Sequence, residues 1–433
     1  MISATSMLAF KPINLGRWVV WGLTAVLFLL LPAYFNKGFS LTLLSQMGVT
    51  IIFALSYNML LGQSGMLSFG HAVYSGLGAF FAIHALRWIG AGTLVWPTSL
   101  LPLIGGAAGA LFGMLFGYLT TRRAGTPFAM ITLGIGEMVF AASLMFPGFF
   151  GGEGGITADR AVGAPFLGIP GITFGPQVQV YYLIAAWCFA SIVAMYALTQ
   201  TPLGRIANAV RDNPERAEFI GYNPQRVRWL MLILSGFFAG IAGALAAINF
   251  EIVSAENVSA IRSGGVLLAA FIGGAAFFFG PILGAVVFVF FAVALSEYTK
   301  AWQLYLGVFF VLLVLFAPGG LSSLILMNLR VVKFRKFRRL RDPYFGVLFS
   351  ALALAFGTVL VIELMYHVTL NVGQGPAIRL FGMIFDTSRA PAWTFAGVVI
   401  FGAASAFEFY RRRFRQQWHD VQREIEDWVR DNP

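Results

Sequence analysis

The chain has 433 residues, of which 58% are hydrophobic, 15% aromatic and only 11% charged. Soluble domains carry about 25% charged residues, so a water-soluble globule is excluded and a polytopic membrane protein is indicated. The net charge of +11 would suggest nucleic acid in a soluble protein, but here the basic residues gather at the ends of apolar runs, where they set orientation. The single cysteine, Cys188, lies inside such a run, so a disulfide framework or a Cys-based metal site within one chain is excluded and packing is its expected role.

A bilayer crossing takes about 20 apolar residues. Runs near that length lie at 18–35, 41–61, 71–90, 99–121, 127–147, 180–199, 229–250, 264–279, 281–297, 303–321, 345–368 and 391–410. They predict an all-α polytopic membrane protein with about twelve transmembrane helices, some interrupted or re-entrant. With the N-terminus inside, Lys11, Arg17, Arg122, Arg123, the 201–228 loop, the 330–341 run and Arg411 to Arg415 all fall on the cytoplasmic side, as positive charge prefers. The 148–179 segment, with Glu153, Asp159 and Arg160, and the 369–390 segment then lie outside. No small-residue cleavage site precedes Asn36 and Lys37, so the first run reads as retained.

Taken in order, the first break is YNMLLGQSGMLSFGHAVY, residues 57–74, with Gly62, Gly65 and Gly70 among hydroxyls, an amide and a histidine. Broken backbone at membrane depth survives only against protein or a watery cavity, and a half-helix N-terminus favours a carboxylate. Gln63, Ser64, Ser68 and His71 are the candidate pathway-lining groups. The other reading is a Gly/Ser turn at the cytoplasmic surface. His84, near the end of its run, carries no functional expectation.

Gly105, Gly109, Gly113 and Gly117 recur every four residues, a groove that another backbone can approach closely. In the next run Glu137 stands near mid-bilayer, close to Thr126, Thr132, Gly134 and Gly136. An ionised group there costs about 2.5–3.5 kcal/mol, so a wet or paired setting is expected: pathway polarity, with Thr132, or a structural hydrogen bond.

The segment TPLGRIANAVRDNPERAEFIGYNPQRVR, residues 201–228, carries five arginines between two apolar runs and is the internal segment suited to a soluble partner. A short helix is predicted from Pro214 to about Ile220, behind the cap-like Asp212 and Asn213 and stopped by Gly221. Gly236, Gly240 and Gly243 repeat the close-approach pattern in the following run, for a subunit interface or a contact within the chain. The uncharged stretch 263–296 breaks at Gly280 and Pro281, with Gly264, Gly265, Gly273, Gly274 and Gly284 around the break. It reads as two short spans or one re-entrant hairpin. Glu363 and His367, one turn apart, pair on one face or sit at the interface.

None of the five lysines follows a glycine, so no phosphate loop exists and any ATP must be bound by partners. There is no H-E-x-x-H, no G-x-S-x-G elbow and no membrane-facing Asp and His cluster for metal-assisted transfer. A proton-coupled carrier places several ionisable groups at midplane, and Glu137 alone supports that weakly.

Five blocks in order, GQSGMLSFGHAVYSGLGAF from Gly62, RRAGTPFAMITLGIGEMVF from Arg122, TPLGRIANAVRDNPERAEFIGYN from Thr201, FFAGIAGALAA from Phe237 and GGAAFFFGPILGA from Gly273, resemble the LivM-type permeases of branched-chain amino-acid ABC transporters. The likeness covers about residues 18–326. It implies an ABC importer permease fold and a transport subunit rather than an enzyme, without a cofactor or metal of its own. It also implies a second LivH-type permease, two cytoplasmic ATPase subunits, an external substrate-binding protein and a place in the bacterial inner membrane with both termini cytoplasmic. Asn213, Pro214, Glu215, Arg216, Ala217 and Gly221 fall where that family's cytoplasmic loop docks into the ATPase. On this reading small Ala217 and breaker Gly221 let the short helix enter a cleft, while Arg211 and Arg216 pair with acidic groups. The bland reading is a loop that only sets topology.

The cargo implied is a branched-chain amino acid or related small zwitterion. Similar permeases serve urea, short amides or aromatic acids, and an ion-coupled secondary carrier is a further alternative. Residues 1–326 form the expected permease domain. The resemblance ends there, and a basic cytoplasmic linker (327–344), two further spans (345–410) and an amphipathic cytoplasmic tail (411–433) follow. The linker's RVVKFRKFRRLR reads as an orientation signal beside anionic membrane lipid. Phe414, Trp418, Val421, Ile425 and Trp428 form one apolar stripe over two heptads, suited to interfacial lodging or to docking on a partner.

Overall fold

The computed structural model describes residues 15–162, 172–334, 336–370, 375–380 and 382–431; Lys11 and the side chains of Arg17 and Trp428 lie outside them. The helices are α1 (Leu15–Tyr34), α2 (Gly38–Ser64), α3 (Ala72–Gly90), α4 (Leu101–Thr120), α5 (Thr126–Met145), the single turn α6 (Pro147–Phe150), α7 (Gln177–Gln200), α8 (Pro202–Asp212), α9 (Pro214–Phe219), α10 (Pro224–Phe250), α11 (Ala260–Gly273), α12 (Gly280–Val289), α13 (Trp302–Phe316), α14 (Gly320–Lys333), α15 (Phe337–Leu370) and α16 (Ala390–Asp431). Two small antiparallel pairs complete it, β1 (Ile156–Thr157) with β2 (Ile252–Val253) and β3 (Ala377–Leu380) with β4 (Met383–Asp386). The fold is that of an all-α polytopic membrane protein.

Among the described residues eight helices are long and apolar enough to cross a membrane, or nine if α13 and α14, bent by 48° at their junction, make one span. Three runs predicted as crossings are shorter apolar helices: 19–34 within α1, α11, and Gly280–Leu295, which is α12 with the π-turn that follows it. At 1.5 Å per residue α11 reaches only about 21 Å and α12 about 15 Å, against a hydrocarbon core of about 30 Å. They run antiparallel as a hairpin: Gly273 lies on Gly280, and Gly284 on Ala269, so closely that a Cβ at Gly273 or Gly284 would strike the facing backbone. Gly274, at φ +102°, makes the turn out of α11, and buried Pro281 starts α12.

The chain divides into two compact units, residues 1–294 with 312–322, and residues 295–311 with 323–433. In the first, α10 forms the centre. Its Gly236 and Gly240 meet Gly109 and Gly105 of α4, Gly113 and Gly117 lie against Leu232, and Gly243 lies on the Ser75 carbonyl of α3. The four-residue glycine spacing thus serves contact within the chain. The Trp229 indole donates to the Met114 carbonyl at 2.9 Å and closes the α4–α10 seam where α10 begins.

At the other end of α10, Arg160 clasps the chain. Its guanidinium donates to the carbonyls of Phe174, Gly175, Ile248 and Asn249 and to Gln177 Oε1, supplying the orphan carbonyls of a helix C-terminus. Cys188 is buried and free.

In the second unit α15 and α16 pack as antiparallel rods, Gly346 against Tyr410 and Gly357 against Ile400. α16 runs unbroken through 42 residues, so the predicted span at 391–410 and the tail beyond it are one helix. The tail stripe is covered by this chain: Val421 and Ile425 are buried with Val331 and Leu340, and Phe414, Trp418 and Phe334 pack around them. Lys336 and Arg339 both pair with Glu424 beside that cluster. The Glu363–His367 pair does not form. Glu363 accepts from the Thr299 and Tyr305 hydroxyls at 2.7 and 2.8 Å, and His367 Nε2 lies 2.8 Å from the Gly375 carbonyl.

Candidate functional site

α2 ends at Ser64 with Gly65 in the left-handed region (φ +67°). The chain then turns back into the bundle without helical structure until α3 begins at Ala72. The return path is interior rather than a surface turn: Met66, Ser68 and His71 have no exposed surface, and Gly70 is buried. Its polar groups are held by neighbours. The Tyr57 hydroxyl donates to the Ser68 carbonyl at 3.0 Å, and the Phe69 N–H donates to Thr132 Oγ1 at 3.2 Å. Ser56 Oγ stands 3.0 Å from His71 Nε2, and the His71 ring stacks on Phe53 at 5.5 Å. Gly70 presses on the Thr132 carbonyl so closely that a side chain there would collide.

The start of α3 is not an open anion site. The Ala72 N–H donates to Ser263 Oγ at 3.0 Å, and those of Val73 and Tyr74 go to the Gly70 and His71 carbonyls. The expectation that this terminus greets a carboxylate is therefore corrected, since its donors are already used. Gln63 and Ser64 are buried at the end of α2, where the Ser64 hydroxyl returns to the Leu60 carbonyl at 2.9 Å. Gln63 Oε1, Ser68 Oγ and His71 Nδ1 have no hydrogen-bond partner among the described residues.

Thr132 and Glu137 do not meet. Thr132 is 2% exposed on the face of α5 that packs against 69–70, whereas Glu137 is exposed with Met130, Gly134 and Met138 and pairs with no described residue. A spacing of five residues sets them about 140° apart on a helix. The predicted corridor thus divides into an internal polar wall, with Gln63, Ser64, Ser68, His71 and Thr132, and an outward face with Glu137.

Three cap-and-proline pairs build the polar elbow after α7. Thr201, Asn213 and Asn223 accept backbone N–H groups at the starts of α8, α9 and α10, and Pro202, Pro214 and Pro224 take the first helical positions, where no N–H is missed. Gly221, at φ +90°, turns the chain out of α9. Glu215, Arg216 and Gly221 are exposed. Ala217 is 2% exposed and faces the core, so it anchors α9 from behind instead of entering a cleft. Arg211 turns back to the Gly62 carbonyl and to Asp212, leaving Arg216 as the outward arginine of the two. The groups offered outward and missed in the sequence are apolar: Phe219 at 90% exposure, Ile220 and Tyr222.

Residues 39–317 match the family model described as branched-chain amino acid transport system / permease component. The chain belongs to this family. The permease is 28% identical over 291 residues to the high-affinity branched-chain amino acid transport system permease protein LivM of Escherichia coli, covering 63% of this chain and 67% of that protein. It is 28% identical over 308 residues to the protein of the same name from Salmonella typhimurium, covering 67% and 71%. A more distant relative is the fructose import permease protein FrcC of Rhizobium meliloti, at 27% over 217 residues, 46% of this chain and 56% of that one. No solved structure matches it. The matched span contains the re-entrant segment, the elbow and the α11–α12 hairpin, and the permease is accordingly an ABC importer subunit and not itself an enzyme.

One further charge in the permease stands two residues before an apolar run, where the sequence pattern gives it no signal. Arg262, in the first turn of α11, is half-buried, and its guanidinium lies 5.9 Å from the centre of the Phe53 ring. No three His, Cys, Asp or Glu side chains gather as a metal site among the described residues.

Proposed function

We propose that this chain is one permease half of an importer that carries branched-chain amino acids, or closely related zwitterions, across the inner membrane of a bacterial cell. A LivH-type permease supplies the second half, an external binding protein delivers the cargo, and ATP is bound and hydrolysed on two separate cytoplasmic ATPase subunits. The observation that carries the reading is the elbow, in which a six-residue helix held by buried Ala217 presents Phe219, Ile220 and Tyr222 to the outside. Exposed aromatic and apolar side chains on a polar loop suit a docking partner. Arg122 and Arg123 lie at the same end of the bundle as the elbow, since α4 runs antiparallel to α10, which supports a cytoplasmic elbow. Asn213, Pro214, Glu215, Arg216 and Gly221 shape the docking surface, and Arg211 and Ala217 hold it from inside. Gln63, Ser64, Ser68, His71 and Thr132 form the polar wall along the route, and Glu137 faces the second permease. The amino-acid cargo is supported by the two LivM relatives.

The test is reconstitution of the assembled importer with leucine as cargo. Gly221→Val forces a branched side chain into left-handed backbone, at roughly 1–2 kcal/mol, and uncouples ATP hydrolysis from uptake. Unchanged uptake and unchanged ATPase stimulation would refute the docking role. Leucine uptake by the purified chain alone on an ion gradient would establish a secondary carrier instead.

A further inference from the structure

Two arginines that reach inside the first unit, Arg160 and Arg262, are treated in opposite ways. Arg160 feeds five acceptors. Arg262 feeds none: its Nε is buried without a hydrogen-bond partner, and no described carboxylate pairs with it. Its charged end lies over the face of Phe53, at 5.9 Å, the outer limit of a cation–π contact. Phe53 stands midway along the 27-residue α2, so the guanidinium sits deep in the span. An unpaired charge at that depth is costly and marks a ligand route by default.

The surroundings say which ligand. Phe53 also stacks against His71, the last residue of the broken segment, and Ser263 beside Arg262 ties α11 to the first N–H of α3. The backbone N–H of Arg262 is held by Ser259 Oγ at 3.3 Å, which fixes the root of the side chain. A guanidinium offers five donors in a planar fork that matches a carboxylate with two parallel hydrogen bonds. Because the N–H groups at the start of α3 are already used, this fork is the cationic donor left free at the break.

We propose that Arg262 is a specificity residue of the transport route, taking the carboxylate of the passing solute in a two-point contact while the apolar part of the solute lies toward Phe53. The amino-acid form of this inference rests on the function proposed above, and the carboxylate contact itself can be tested apart from it.

The experiment uses the wild-type importer and phenylglyoxal, with mass spectrometry of the peptide that carries Arg262. Isovalerate should slow modification of Arg262 about ten-fold, as expected for loss of access to a charge-assisted pair, and isovaleramide, the same skeleton without the charge, should not. Protection by both, protection by neither, or a failure of the reagent to reach Arg262 would each overturn the proposal. In uptake assays Arg262→Gln should raise the KM for leucine about ten-fold, and Arg262→Lys, which keeps the charge but loses the fork, should restore only part of it; equal KM values overturn the assignment while leaving the importer reading intact. A wild-type importer that shows isovalerate protection yet takes up no leucine would remove the amino-acid cargo and keep the carboxylate site.

Discussion

Replacing Gly105 with alanine tests whether the glycine seam sets the spacing of the bundle. A Cβ at Gly105 falls 2.6 Å from the Gly240 carbonyl oxygen and 2.6 Å from Ala244 Cβ, and Gly240 in turn touches Gly78. Ordinary contact begins at 3.4 Å, so α4 and α10 must part by about 0.8 Å, the difference of the two distances. The obstacles are backbone oxygens on α10 and α3 and the Ala244 Cβ, none of which can rotate away. Overpacking of this kind costs about 1–3 kcal/mol, roughly 5- to 140-fold in a folding equilibrium. The control is Gly134→Ala in α5, where nothing lies within 4 Å of the new Cβ and the helix gains about 0.5–1 kcal/mol. Thermal unfolding of the two detergent-purified variants, followed by fluorescence-detected size exclusion, should move in opposite directions. If Gly105→Ala is as stable as Gly134→Ala, the backbones are not in contact at this node.

Thr132→Val keeps the volume but removes the acceptor of the Phe69 N–H, and an unsatisfied backbone donor there should cost about 1–3 kcal/mol. The loss should appear as lower thermal stability and as faster hydrogen exchange confined to residues 65–71. Val421→Asp places a charge in the cluster with Val331, Leu340 and Ile425 and should expose the tail to trypsin near Arg423. Glu424→Gln weakens two pairs with exposed partners and should leave cleavage close to wild type, because screened surface pairs contribute little.

Periodic features were legible from the residues alone. The glycine spacing in α4 and α10, the cap-and-proline start of α9 and the heptad stripe of the tail each follow from helical geometry and local hydrogen bonding. What each faces was not, because that depends on packing between distant segments. Ala217 looks available on a short helix, yet six residues have no orientation of their own, and contact with the core turns it inward. Glu137 and Thr132 are near along the chain, but five positions on a helix separate their directions. Arg262 stands just outside an apolar window, and it reaches the interior because the start of α11 lies beside α2 and α3.

The second unit's longest helix works as a lever. At 1.5 Å per residue its 42 residues extend about 63 Å, well beyond a bilayer of about 40–45 Å with its headgroups, so the charged tail must project into water. Tilting the rod by 10° about its midpoint carries that tip about 5 Å sideways, by the same arithmetic. Any rocking of the embedded portion is thereby broadcast to the aqueous side without an intervening joint.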